Sequence, residues 1–302
     1  METVDRLDVC YQGVRVGRMN IINAAKDILT VFEADQFSLD KWKAYMKSHV
    51  PQAEALCLHD MEDGLSSGLS WEEDYLPVLN SVPRHIDKLE KITQSFRQVT
   101  ENLAGKISAR FGKAPDADII LYLGLCNGAG WVTTLNGRTT VLLGIEKIIE
   151  LDWCGTDSMN ALILHEMGHV YQAQYGVLHR ETDSPRNRFL WQLFTEGIAM
   201  VFEQEIVGDP EYYHQDRDGW KNWCSQNLRF IRQSFDRDLD TMTRENQRYF
   251  GDWVEFNGYG DVGYYLGARF VRFLLKNEDF NRLISYDPED VSRGFEAFSE
   301  EC

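Results

Sequence analysis

The sequence predicts an α+β protein, mainly helical, with a small mixed or antiparallel sheet ahead of a histidine-bearing helix. Three observations predict it: apolar residues recur at helical spacing through most of residues 1–110, a run of strand formers begins at Asp118, and helical spacing returns from Ser158. Helices, then sheet, then helices is the segregated order of an α+β fold rather than the alternation of an α/β one.

In chain order, residues 21–32, 39–47 and 85–108 carry apolar side chains three and four positions apart, with Ser38 and Ser81 as helix-start signals. Residues 60–75 hold Gly64, Ser66, Ser67, Gly68 and Ser70, a composition that predicts a loop or lid. Ile119-Ile120-Leu121-Tyr122-Leu123, between Pro115 and Gly124, predicts a strand. Residues 128–134 and 139–143 predict two more, joined through Asn136-Gly137, a strong hairpin signal because both residues tolerate positive φ. Residues 158–175, 189–207 and 264–276 then read as helices. The organisation expected is a helical N-terminal region, 1–110, packed on a core of 111–302 that carries the chemistry.

Charge and composition exclude several classes. The 302 residues include 48 acidic against 31 basic side chains, a formal charge of -17 that repels phosphate backbones and anionic lipid surfaces. The most basic segment, Leu228-Arg229-Phe230-Ile231-Arg232, lies beside Asp236, Asp238 and Asp240 and reads as a mixed-charge helix face, so nucleic acid is not expected as a partner. Met1-Glu2-Thr3-Val4-Asp5-Arg6 lacks the basic, apolar start of a secretory signal, and the longest apolar runs fall short of the roughly 20 residues that cross a bilayer. A cytoplasmic protein without membrane attachment is the expectation. Its six cysteines, Cys10, Cys57, Cys126, Cys154, Cys224 and Cys302, are scattered without a CxxC pair, so reduced thiols are expected and cysteine zinc ligation is not.

The informative segment is Leu164-His165-Glu166-Met167-Gly168-His169. Two histidines four apart on a helix project from one face about a turn apart, so they can share a metal ion. Glu166, at the side of that face, is placed to receive a proton from water on the metal rather than to bind it. The plain alternative is that both histidines merely hydrogen-bond inside the fold. A catalytic zinc site usually takes three protein ligands and keeps one position open. His179 comes too late for the metzincin spacing, in which Gln172 and Tyr175 would have to be glycine and histidine. Glu196 is the better third ligand: a carboxylate among Leu190, Leu193, Phe194, Ile198 and Val201 is costly to bury unless a cation compensates it. The other reading of Glu196 is a salt-bridged or solvent-facing glutamate; Glu203, about two turns beyond it on the same face, is a candidate support for a ligand, though it and Glu205, weaker candidates still, read as solvated.

His165-Glu166-Met167-Gly168-His169 followed by Glu196-Gly197-Ile198-Ala199 resembles the gluzincin metallopeptidases, which carry HExxH on one helix and a glutamate ligand on the next. The resemblance covers residues 143–205, with a weaker echo in Gly263-Tyr264-Tyr265-Leu266-Gly267. It implies a zincin-like, thermolysin-type core holding zinc on His165, His169 and Glu196, with Glu166 as general base. It also implies a tyrosine, Tyr264 or Tyr265, as oxyanion donor; the competing reading of both tyrosines is aromatic packing. Many gluzincins place an aspartate four residues beyond the glutamate ligand, where this chain has Met200, so the histidines need other supports: Asp157, Asp183 or a backbone carbonyl.

The activity expected is zinc-dependent hydrolysis of peptide bonds in a peptide or protein substrate. The alternatives are a zinc-bearing small-amide hydrolase and a metal-containing binding protein without turnover. Gly128-Ala129-Gly130-Trp131 allows a peptide backbone to approach a sheet edge closely, or is simply a glycine-rich turn. Residues 257–261 likewise read as a rim over the cleft or a connecting loop.

Overall fold

The apolar run at the centre of the chain forms the middle of a mixed sheet in a computed structural model that describes residues 18–182, 184–251 and 254–301. Met1 to Arg6, Cys10, Asp183 and Cys302, all read above, lie outside the described residues. Among the described residues there are six strands: β1 (Met19–Asn23), β2 (Phe32–Glu33), β3 (Gln36–Phe37), β4 (Ala117–Tyr122), β5 (Gly130–Leu135) and β6 (Arg138–Gly144). The larger sheet has the order β1-β4-β6-β5, and β2 pairs only with β3. The fold is α+β, mainly helical with a small mixed sheet. Its contacts group into two units, residues 1–166 and 167–302.

In the first unit β4 is parallel to both β1 and β6, while β5 runs antiparallel to β6 at the sheet's end. Parallel strands are covered on both faces, which is why β4 and β6 read as nearly unbroken apolar runs: Ile119, Leu121, Val141, Leu142 and Leu143 are fully buried. Helix Leu39–His49 covers part of this core, with Trp42 donating its indole N–H to the Leu123 carbonyl at 2.9 Å. Its N-cap is Ser38, whose hydroxyl accepts the Lys41 amide, as expected. The hairpin also forms where expected, with Asn136 and Gly137 at φ 51° and 75°, the positive pair that matches the twist of the strands it joins.

Three local expectations fail in this unit. Residues 21–32 are not an α-helix: Ile21, Ile22 and Asn23 pair with Ile119, Ile120 and Leu121 in β1, and a 3-10 turn, Ala25–Val31, follows. Two adjacent β-branched isoleucines gain more from this ladder than from a helix nucleus. Residues 60–75 are mostly helical rather than a loop, because helix Glu54–Ser66 runs through Gly64 and a π-type turn spans Trp71–Tyr75, with Tyr75 buried. Apolar Met61 and Tyr75, anchored inside, outweigh the small polar residues between them. The long 85–108 helix is two, Ile86–Thr100 and Leu103–Phe111, broken at Asn102, whose φ of 55° no continuous α-helix admits. Ser81 caps neither; its hydroxyl donates to the Val78 carbonyl.

The second unit is helical. Helix Pro185–Val207 begins with Pro185 behind an N-cap Ser184, ends on Gly208 at φ 82°, and is buried on nearly every side between Phe189 and Gln204. Helix Val262–Leu274 crosses it where a Cβ on Gly197 would stand 2.3 Å from the Gly267 carbonyl oxygen, an approach only glycine permits. Helix Pro288–Glu301 completes the layer with Phe295 and Phe298, each 5.6 Å from the Phe270 ring. Among the described residues no helix is long and apolar enough to cross a membrane.

Candidate metal centre

Helix Thr156–Tyr175 carries the two histidines and Glu166. Helical pitch puts His165 and His169 on one face, and tertiary packing supplies the third donor. Next to His169, a Cβ on Gly168 would lie 2.7 Å from the Ala199 Cα, so the backbones of this helix and of Pro185–Val207 touch there. Glu196 stands three residues before Ala199, close to one turn, and its Oε2 lies 3.4 Å from His169 Nε2. One ligand atom each from His165, His169 and Glu196 falls within 4.8 Å of the others. His165 is buried, and the His169 and Glu196 side chains keep 14% and 18% of their surface, so an ion held there would sit in a nearly dry site.

The donor set fits zinc. The 3.4 Å between His169 Nε2 and Glu196 Oε2 is short enough for one ion to take both atoms. Two imidazoles and one carboxylate are a donor set that zinc takes, whereas calcium and magnesium favour all-oxygen shells.

Glu166 is half-buried and does not belong to the cluster. Its carboxylate lies against the first residue of β5: a Cβ on Gly130 would be 3.2 Å from Glu166 Cγ, 3.3 Å from Oε1 and 2.8 Å from Leu162 Cδ1. Leu162 and Glu166, one turn apart, thus form the helix face on which the end strand of the sheet begins. Gly130, one of the residues expected to permit close backbone approach, does so toward Glu166.

The remaining predicted residues are dispersed. Tyr265 is buried between Tyr213 and Trp220, with ring centroids at 4.9 and 5.9 Å, and burial pushes its phenol up despite a hydrogen bond with Ser225. Tyr264 is half-buried and packs edge-on to Phe250 at 5.7 Å. Asp157 is exposed at the start of the motif helix, eight residues or about 12 Å before His165, too far to orient it. His179 is exposed and outside the cluster.

Glu203 and Glu205 are not solvated. Glu205 pairs with Arg272, whose guanidinium also donates to Gln204. Glu203 is fully buried, with its Oε2 3.0 Å from His214 Nδ1. Burial opposes the His214 cation, but the Glu203 carboxylate outweighs it and holds the imidazole above its usual value. A raised folded-state pKa stabilises the fold below the unfolded value of about 6.5, and that contribution is lost as pH rises through the folded one. Glu203→Gln is therefore expected to lower unfolding stability by roughly 3 kcal/mol at pH 6, with the gap to wild type narrowing by pH 9. Urea unfolding at the two pH values checks this; a gap that does not change with pH would remove the charge from the account.

No family model, curated protein or solved structure matches the chain.

Proposed function

We propose that this chain is a zinc-dependent hydrolase of gluzincin type with a zincin-like core, cleaving peptide bonds with Glu166 as general base. The observation that carries the reading is the convergence of His165, His169 and Glu196 from two helices, beside a helix face that presents Glu166 to the end strand of the sheet. His165, His169 and Glu196 would hold a divalent ion, which when bound would supply Lewis acidity toward the scissile carbonyl and the attacking water.

The chain's own residues do the rest. His165 and His169, one turn apart on the same helix, would offer the ion two imidazole nitrogens. Glu196 offsets part of the ion's charge and ties the second helix to the first. Glu166 takes a proton from the attacking water and returns it to the leaving amine. A substrate backbone laid along β5 would bring its carbonyl to Glu166, since Gly130 has no side chain to keep it away. Oxyanion stabilisation stays with Tyr264 or Tyr265, as the resemblance implies; both lie on helix Val262–Leu274. The helix bearing Tyr264 crosses the Glu196 helix at Gly197. The proposed setting is cytoplasmic, in line with six scattered cysteines that form no CxxC pair.

Elemental analysis of protein purified without added metal, paired with a peptide-library digest, tests the reading. About one zinc per chain is expected, with cleavage that a chelator abolishes and added zinc restores. Zinc without cleavage would leave a metal-bearing binding protein, and absence of both would remove the proposal.

A further inference from the structure

Glu146 is a carboxylate inside an apolar run, Val141-Leu142-Leu143-Gly144-Ile145-Glu146-Lys147-Ile148-Ile149, and it is fully buried on the short helix Ile145–Glu150 that follows β6. Its Oε2 accepts the Gly124 amide at 2.8 Å and its Oε1 the Cys126 amide at 3.0 Å. Both amides belong to the 123–129 segment that joins β4 to β5. Burial pushes the Glu146 carboxyl up to about 7, against the pull of the backbone donors around it.

The segment needs such a hold. Cys126 at φ 59° and Gly128 at φ 148° stand where L side chains rarely do, and such conformations persist only when their surroundings impose them. From the other side Asn127 accepts the Leu125 amide at 3.0 Å and donates to the Cys57 carbonyl at 3.1 Å and to Asp60 at 2.8 Å. Packing against Glu146 is close, since a Cβ on Gly124 would lie 2.6 Å from its Oε1. At the far end Gly144 donates to the Ala129 carbonyl at 3.1 Å, and the next residue is Gly130, against Glu166.

We propose that Glu146 is a positioning residue: by holding the Gly124 and Cys126 amides it sets the 123–129 segment, and through it the placement of Gly130 against the Glu166 carboxylate. The assignment rests on the hydrolase reading, in which Glu166 is the base. Glutamine at this position keeps the volume but turns an N–H donor toward one of the two amides, losing a hydrogen bond and adding a repulsion. A residue that only filled space would tolerate that change.

The test compares the full-length, zinc-loaded wild type with Glu146→Gln and Asn127→Ala by hydrogen exchange, zinc content and peptide-cleavage kinetics. Each variant should exchange residues 123–131 about tenfold faster, with helix Ile86–Thr100 and the zinc stoichiometry unchanged. Its kcat should fall about tenfold while KM moves less than about twofold, the signature of a displaced catalytic group rather than of weakened binding. In the double variant the losses in kcat should fall short of multiplying, because both act through one segment. Unchanged exchange and kcat in Glu146→Gln, a uniform rise of exchange along the chain, or fully multiplicative losses would each overturn the assignment. Should Glu146→Gln not fold, Asn127→Ala decides by the same exchange and kcat criteria. A wild type that binds zinc and cleaves no library peptide would remove the hydrolase reading and this assignment with it; an active wild type with unaltered variants would remove this assignment alone.

Discussion

Glu166→Gln is expected to keep its metal and lose peptide hydrolysis by about a thousandfold, within the range that general acid–base catalysis contributes. Glutamine has nearly the volume of glutamate, so the close approach of the side chain to Gly130 is preserved. What disappears is the basic lone pair: an amide oxygen cannot accept the proton of the attacking water or return it to the departing amine. The loss should appear in kcat, since the carboxylate acts as the transition state forms and not when substrate binds. Zinc content measured on the same preparation separates the outcomes. A variant that loses its metal would show Glu166 to be structural, and one that hydrolyses at the wild-type rate would show that another group is the base.

Glu196→Ala is expected to weaken zinc binding by at least about a hundredfold, because mutation of residues that merely support ligands already costs ten- to a hundredfold. The His165 and His169 imidazoles remain on their helix, but two neutral donors neither complete the usual three-ligand set nor compensate the charge of the ion. Competition against a chromophoric zinc chelator gives the affinity. The rise in melting temperature that zinc confers on the wild type should shrink in parallel, since a ligand stabilises the fold in proportion to its binding. Retention of wild-type affinity would exclude Glu196 from the ligand set and leave its 3.4 Å approach to His169 as an ion pair.

The candidate centre was legible to the extent that helical geometry dictates it. Histidines at 165 and 169 must share a face once the segment is helical, and the apolar run before them makes it so. Glu196 was legible by a thermodynamic signal, a carboxylate in surroundings that disfavour it. The same signal was present at Glu146 in its own apolar run and at Glu203 between Phe202 and Gln204, yet these resolve differently: two backbone amides hold the first, and the His214 imidazole holds the second. An embedded acid announces that it needs a partner without naming which.

The elements the sequence determined by itself are those whose information lies within a few residues: the Asn136-Gly137 turn, the Ser38 cap, the apolar strands around residues 119 and 141, and the spacing of His165, Glu166 and His169 along one helix. There the relevant energies are local, set by φ preferences, hydrogen bonds three or four residues away and a pitch of 3.6 residues. Only the tertiary structure decided that residues 19–23 form a strand beside β4, that residues 60–66 continue a helix, and that Glu196 comes to His169 where Gly168 lets two helices touch. Those outcomes depend on apolar area buried against residues far away in the chain, and that packing overrides local preferences worth a fraction of a kcal/mol per residue.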